Sequence, residues 1–203
     1  MIHFVKKDFI VQKKIFILYV LLMGFFMFAK LHPALIIPIV LVQYITNIGY
    51  YDDRDKVHLL LNALPGSRKK IVTAKYVSIG LFFTVMLGLF VLINSFFSEG
   101  FDLIGYDGLL TIAVSAIFVA FFVPMSLYFP YSVILIVFFV IYFGLSILIN
   151  HLVPDLYGFV IRTFEYIASL PFPLVFAVSM ISLAILLVIS WFSSVKLYEY
   201  KKI

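Results

Sequence analysis

Three carboxylates within four positions, Asp52, Asp53 and Asp55, are the densest cluster of chemistry-bearing side chains in this chain. Closely spaced acids can hold a divalent cation through oxygen ligands. They can equally open a helix, because negative charge is favourable at a helix N-terminus. The residues that follow favour the second use. Val57, Leu60, Leu61 and Leu64 recur at i, i+3, i+4 and i+7, one face of a short helix. Asp53 is placed to cap it and Pro65-Gly66 to end it. The histidines His3, His32, His58 and His151 are scattered, and no pair has metal-ligand spacing. No GxxxxGK[ST] phosphate loop is present, so ATP hydrolysis is not expected of this chain. Nor do the apolar stretches carry the paired glutamates and histidines that intramembrane prenyl-processing-type proteases use. No catalytic residue, metal or cofactor is expected here.

These acids belong to a polar island, Tyr51 to Tyr76, which holds six of the fifteen Lys and Arg residues and three of the ten acids. The rest is nearly all hydrocarbon. Of 203 residues, 65% are hydrophobic and 12% charged, against about half and a quarter in ordinary soluble domains. Mean hydropathy is +1.17. A water-soluble fold could not cover such a core, whereas helices satisfy their own backbone in lipid. The long apolar blocks exclude the alternating pattern of a membrane barrel. With no cysteine, disulfides and thiolate metal sites are excluded.

The expected fold is all-α and integral to the membrane. Six spans are predicted near Ile15–Ala29, Pro33–Gly49, Val77–Phe97, Leu109–Val123, Tyr131–Asn150 and Leu174–Val195. The first is read as a retained span, since GFFMFAKLHP offers no small-residue cleavage site. Pro38 is expected to kink the second. Basic residues concentrate in three segments that six spans place on one face: Lys6, Lys7, Lys13 and Lys14; the central loop 50–76; and Lys196, Lys201 and Lys202. By the positive-inside rule both termini and that loop are cytoplasmic. Residues 1–14 read as an amphipathic helix on the inner leaflet, and 151–172 as an outer re-entrant or surface segment. The whole, 1–203, is one membrane domain.

Arg68, Lys69 and Lys70 open the helix leading into the third span, where basic charge opposes the dipole. Their placement answers to topology or to an external anionic surface, of lipid or of a partner. The spans show no clear buried charge, which argues against proton coupling. Their polar residues, among them Thr46, Asn47, Asn94, Ser95, Thr111, Ser115 and Ser182, are expected to bond between helices.

The segment LLLNALPGSRKKIVTAKY, directly before the third span, resembles the "L-N-S-L-P-x-S-R-x-x-I-V-x-x-K-Y" segment of ABC-2 type transporter permeases. FFVPMSLYFPYS resembles the family's "P-x-x-Y-x-F-G" turn between the fourth and fifth spans, with Pro130 in place of the glycine and the usual basic residue missing. WFSSVKLYEYKKI resembles its "S-x-x-x-Y-E-x-K" ending. In length and layout the chain is similar to the exporters of phenol-soluble modulins, peptide toxins of Gram-positive bacteria.

The resemblance implies a six-span, type V exporter-like permease in the bacterial cytoplasmic membrane. Two permeases would work with two ATP-hydrolysing subunits, which hold ATP and Mg²⁺. The short helix carrying Arg54, Lys56, Val57, Leu60, Leu61 and Leu64 would be the coupling helix that docks on the ATPase. The cargo would be an amphipathic or hydrophobic peptide, moved outward among membrane lipids, with no nucleic acid involved. Two alternatives stand beside this: a membrane immunity or sensor protein that binds peptides without transport, and a secondary transporter.

Overall fold

The computed structural model describes residues 2–54, 68–97, 105–130 and 169–200, with 133, 134, 136, 137, 140 and 144 between them. Six helices organise the described residues: α1 (Ile2–Gln12), α2 (Phe16–Phe28), α3 (Pro33–Arg54), α4 (Arg68–Phe97), α5 (Tyr106–Tyr128) and α6 (Phe172–Tyr200). α3 to α6 are each long and apolar enough to cross a membrane. α2 has 13 residues, about 20 Å of helix, too short for a hydrocarbon layer of about 30 Å. It adjoins α1 at a bend of 65°, and the two together are long and apolar enough for one broken span. The described residues thus hold four spans, or five with the bent pair. The span predicted at Tyr131–Asn150 falls almost wholly outside the described residues.

Several boundaries move outward from the predicted ones. α3 continues past Gly49 to Arg54 and runs through Pro38 without ending. Pro38 lies in the second turn, so the one carbonyl that loses its i→i−4 donor is that of Ala34, close to the helix start. α4 begins at Arg68, nine residues before the predicted Val77, and is continuous for 30 residues. α5 passes Pro124 and stops at Tyr128, so the expected turn begins only at Phe129. Hydropathy marks the lipid-immersed part of a helix; the backbone hydrogen bonds carry on beyond it.

α2 ends in a Schellman stop. Lys30 takes the left-handed conformation at φ 58°. The Leu31 N–H donates to the Phe26 carbonyl at 3.1 Å and the Lys30 N–H to that of Met27 at 2.9 Å. His32 then caps α3, its ring Nδ1 accepting the Ala34 N–H at 3.2 Å. That leaves Nε2 to carry the proton, 3.5 Å from Asp107 Oδ1 at the start of α5. The Tyr106 hydroxyl donates to the Leu170 carbonyl at 3.0 Å, just before α6. The starts of α3, α5 and α6 therefore share one end of the bundle, while α4 starts at the other and runs antiparallel to them.

α3 packs most extensively on α5, and α5 on α6. In α3, 67% of the spanning window is buried, in α6 only 11%. α3 is thus the central post and α6 a peripheral stave. The exposed side of α6 is mostly apolar, with Val178, Ile181, Ile185, Ile189 and Phe192 outward, a surface suited to lipid or another spanning helix. Where α2, α3 and α4 meet, Tyr44 stacks on Phe82 at 3.8 Å. Tyr19 stands edge-on to Phe82 at 5.3 Å and to Tyr44 at 6.2 Å, the edge-to-face geometry that the ring quadrupoles favour. Truncating Phe82, 1% exposed, is expected to cost about 3 kcal/mol through the cavity it leaves. Phe82→Ala should melt well below wild type in detergent, whereas Phe28→Ala at an outward-facing position should not.

Candidate functional site: a buried charge clamp beside the central segment

At the end of the bundle where α3 stops and α4 starts, four charges converge. Asp52, in the last turn of α3, presents one carboxylate oxygen to each of two lysines. Lys7 Nζ of α1 donates to Oδ1 at 2.5 Å, and Lys75 Nζ of α4 approaches Oδ2 at 2.8 Å. Lys7 also lies 3.4 Å from Asp8 Oδ1. The Ser78 hydroxyl sits between Asp8 Oδ2 at 3.1 Å and the Lys75 carbonyl at 3.0 Å, and its single proton serves one at a time. The Asp52 and Lys75 side chains are 12% and 11% exposed. Two ammonium and two carboxylate groups sum to neutrality, the condition under which charges tolerate burial.

Local sequence explains each placement. Asp52 at a helix C-terminus faces the negative end of the dipole, an unfavourable site for an acid. Lys7 and Lys75 offset that. Lys75 stands two turns into α4, inside the apolar run Ile71 to Ile79, and only a paired lysine can be buried there. α1 supplies Lys7 and Asp8 from adjacent positions, and Gln12 four residues after Asp8 lies on the same face. Gln12, 3% exposed, donates from Nε2 to the Tyr44 carbonyl at 3.1 Å. Tyr19 donates its hydroxyl proton to Gln12 Oε1 and accepts from Asn47 Nδ2 at 2.7 Å. α1 is therefore not only the amphipathic surface helix predicted. Phe4 and Phe9 pack against the core, yet Asp8 and Gln12 are buried with them, and polar groups fasten the helix to the protein.

The structure corrects three sequence expectations. Asp52 and Asp53 do not open a new helix, since both lie within the last turn of α3, and Asp53 is not an N-cap. Buried charge is present after all, in Asp52 and Lys75, at the margin of the spanning segments. Asn47 does bond between helices, but Thr46, Ser95, Thr111 and Ser182 return to carbonyls of their own helices.

Of the predicted partner-binding residues, Arg54 is the last residue of α3, and Lys56, Val57, Leu60, Leu61 and Leu64 lie outside the described residues. So do Asp55 and His58. Arg68 begins α4, and Lys69 and Lys70 are exposed in its first turn. The clamp thus joins the two helices that flank 55–67, and sequence reading missed it. The available signal was Lys75, a lone charge in a largely apolar stretch, whereas Asp52 was hidden in the acidic cluster around it.

Chemically the clamp is an anchor. Each Asp52 oxygen is already engaged by an ammonium, and among the described residues no group of three His, Cys, Asp or Glu side chains could hold a metal ion. Removing the charge of Asp52 strands the buried Lys75 and leaves the half-buried Lys7 only Asp8, at a cost of about 3 kcal/mol. Asp52→Asn should lower thermal stability sharply. Adding Lys75→Gln to it should restore part of the loss, because one stranded charge is gone. A non-additive double-mutant cycle in detergent melts measures this coupling.

Residues 3–199 match the sequence model of a family described as "ABC-2 family transporter protein". No curated protein matches the chain, and no solved structure does. The family match takes in α1, the clamp and every spanning helix described above. A match of that extent, over a bundle of long apolar helices, places the chain in the ABC-2 transporter family, as a multi-pass membrane permease component.

Proposed function

We propose that this chain is the permease of an ATP-driven exporter whose cargo is a hydrophobic or amphipathic peptide. Two permeases, identical or related, would assemble with two ATPase subunits that bind ATP and Mg²⁺. The observation that carries this reading is the clamp. Asp52 and Lys75 tie the helix entering segment 55–67 to the helix leaving it, and Lys7 binds α1 to the same point. A segment that receives force from a partner needs both its flanking helices fixed to each other, or its motion is lost in splaying them. The leucine stripe Leu60, Leu61 and Leu64 supplies the apolar face a partner groove would take. Lys69 and Lys70, exposed at the start of α4, suit an acidic partner rim or anionic lipid headgroups. The greasy exposed faces of α2 and α6 suit lipid and apolar cargo. This end of the bundle is cytoplasmic in the proposal, since the basic residues cluster there.

Leu61→Asp should abolish copurification with the cognate ATPase in mild detergent while leaving the melting temperature of the permease unchanged. Copurification that survives the substitution would remove the coupling role from this segment. Topology has a separate check, made simple by the absence of native cysteine. A single cysteine at Lys6 or Lys202 should resist a membrane-impermeant maleimide in intact cells, and one at Asp102 should react. The reverse pattern would invert the protein in the membrane.

A further inference from the structure

Between α3, α4, α5 and α6 lies a cavity of about 190 Å³, lined by Leu41, Tyr76, Gly80, Phe83, Ser115 and Leu187 among others. Its walls are almost entirely apolar. Apolar cavities of about 150 Å³ stay dry and accept benzene-sized molecules. One wall is braced by a directional chain of hydroxyls. The Ala120 carbonyl only accepts, so Ser190 donates to it at 2.6 Å. Tyr76 then donates to Ser190 at 2.6 Å, and Ser194 to Tyr76 at 2.9 Å. The Tyr76 hydroxyl is thereby fully used.

Ser115 is different. Hydroxyls within helices ordinarily return to the carbonyl three or four residues back. Thr46, Thr84, Ser95, Thr111, Ser126 and Ser182 all do so here. Ser115 is 2% exposed, and its buried hydroxyl has no hydrogen-bond partner among the described residues. It lines the cavity. A buried polar group left unpaired is costly, and a ligand group would relieve it. Gly80 forms the lip. It is exposed on α4, and a Cβ placed there would meet no atom within 4 Å. The cavity therefore opens beside the outward apolar face of α4, where Leu81 and Val85 are exposed. In a membrane protein that face adjoins lipid hydrocarbon, so whatever enters arrives dissolved in the bilayer.

We infer that this cavity binds a small membrane-dissolved molecule, a single ring or short chain bearing one hydroxyl, with Ser115 pairing the polar group and Gly80 framing the entrance. The site is independent of the coupling role proposed above and needs no ATPase. It is tested on the full chain in detergent with two probes of nearly equal size, 4-fluorophenol and 4-fluorotoluene, followed by ¹⁹F NMR titration. Wild type should bind 4-fluorophenol saturably and several-fold more tightly than 4-fluorotoluene. Ser115→Ala should remove that preference while retaining 4-fluorotoluene. Gly80→Leu, blocking the lip, should remove saturable binding of both, leaving micelle partitioning as background. Melting curves confirm that each variant folds; should Gly80→Leu fail, Ala116→Leu narrows the same cavity from α5. A signal that neither blocking variant changes would overturn the site. A 4-fluorophenol preference that survives Ser115→Ala would overturn the assigned ligand class.

Discussion

One carboxylate holds three helices. Asp52 offers an oxygen to Lys7 and another to Lys75, so α1, α3 and α4 share a single electrostatic knot. Buried ion pairs contribute little net stability over an apolar replacement. What they contribute is geometry, because each charge must find its counter-charge or be stranded. In this chain the requirement is severe, since the next layer inward is the Tyr19–Tyr44–Phe82 aromatic cluster, which offers an orphaned ammonium no solvent. The register of α1 on α3, set through Gln12 and Tyr19, follows from the same constraint.

The far end of the bundle is held differently. His32 and Asp107 make a half-exposed contact, and Tyr106 reaches a backbone carbonyl before α6. The ion pair of His32 and Asp107 lies at the solvent-exposed rim, where it contributes less than the buried knot opposite. At the level of the clamp, α6 is fastened to α4 by hydroxyls and by the Trp191 Nε1–H donated to Thr73 at 3.1 Å. Polar contacts of this kind fix which helix faces meet when lipid and side chain are equally apolar.

Hydropathy made the membrane class and most spans legible, because long apolar blocks have few other uses. Helix limits were less legible. α3 and α4 outrun their hydrophobic cores by carrying Asp52 and Lys75 just beyond or within apolar sequence, and only the fold shows that these two charges meet. Asp53 looked like a cap because its neighbours are acidic, and a local reading has no access to the lysines arriving from α1 and α4. Hydroxyl residues in apolar spans suggest interhelical bonds, yet a helix offers most of them its own carbonyls first. Ser115 was indistinguishable from the others in sequence, since an unmet hydrogen bond has no composition.

The unbroken length of α4 carries a mechanical consequence. Its 30 residues make a rod of about 45 Å. Lys75 divides it into arms of roughly 10 Å toward Arg68 and roughly 33 Å toward Phe97. With Lys75 fixed on Asp52 as a fulcrum, a sideways displacement at the short arm reappears at the long arm about threefold larger and in the opposite sense, by the ratio of those lengths. The lever amplifies travel and divides force, so its reach depends on how readily the buried Phe82, Met86 and Phe90 along the long arm repack.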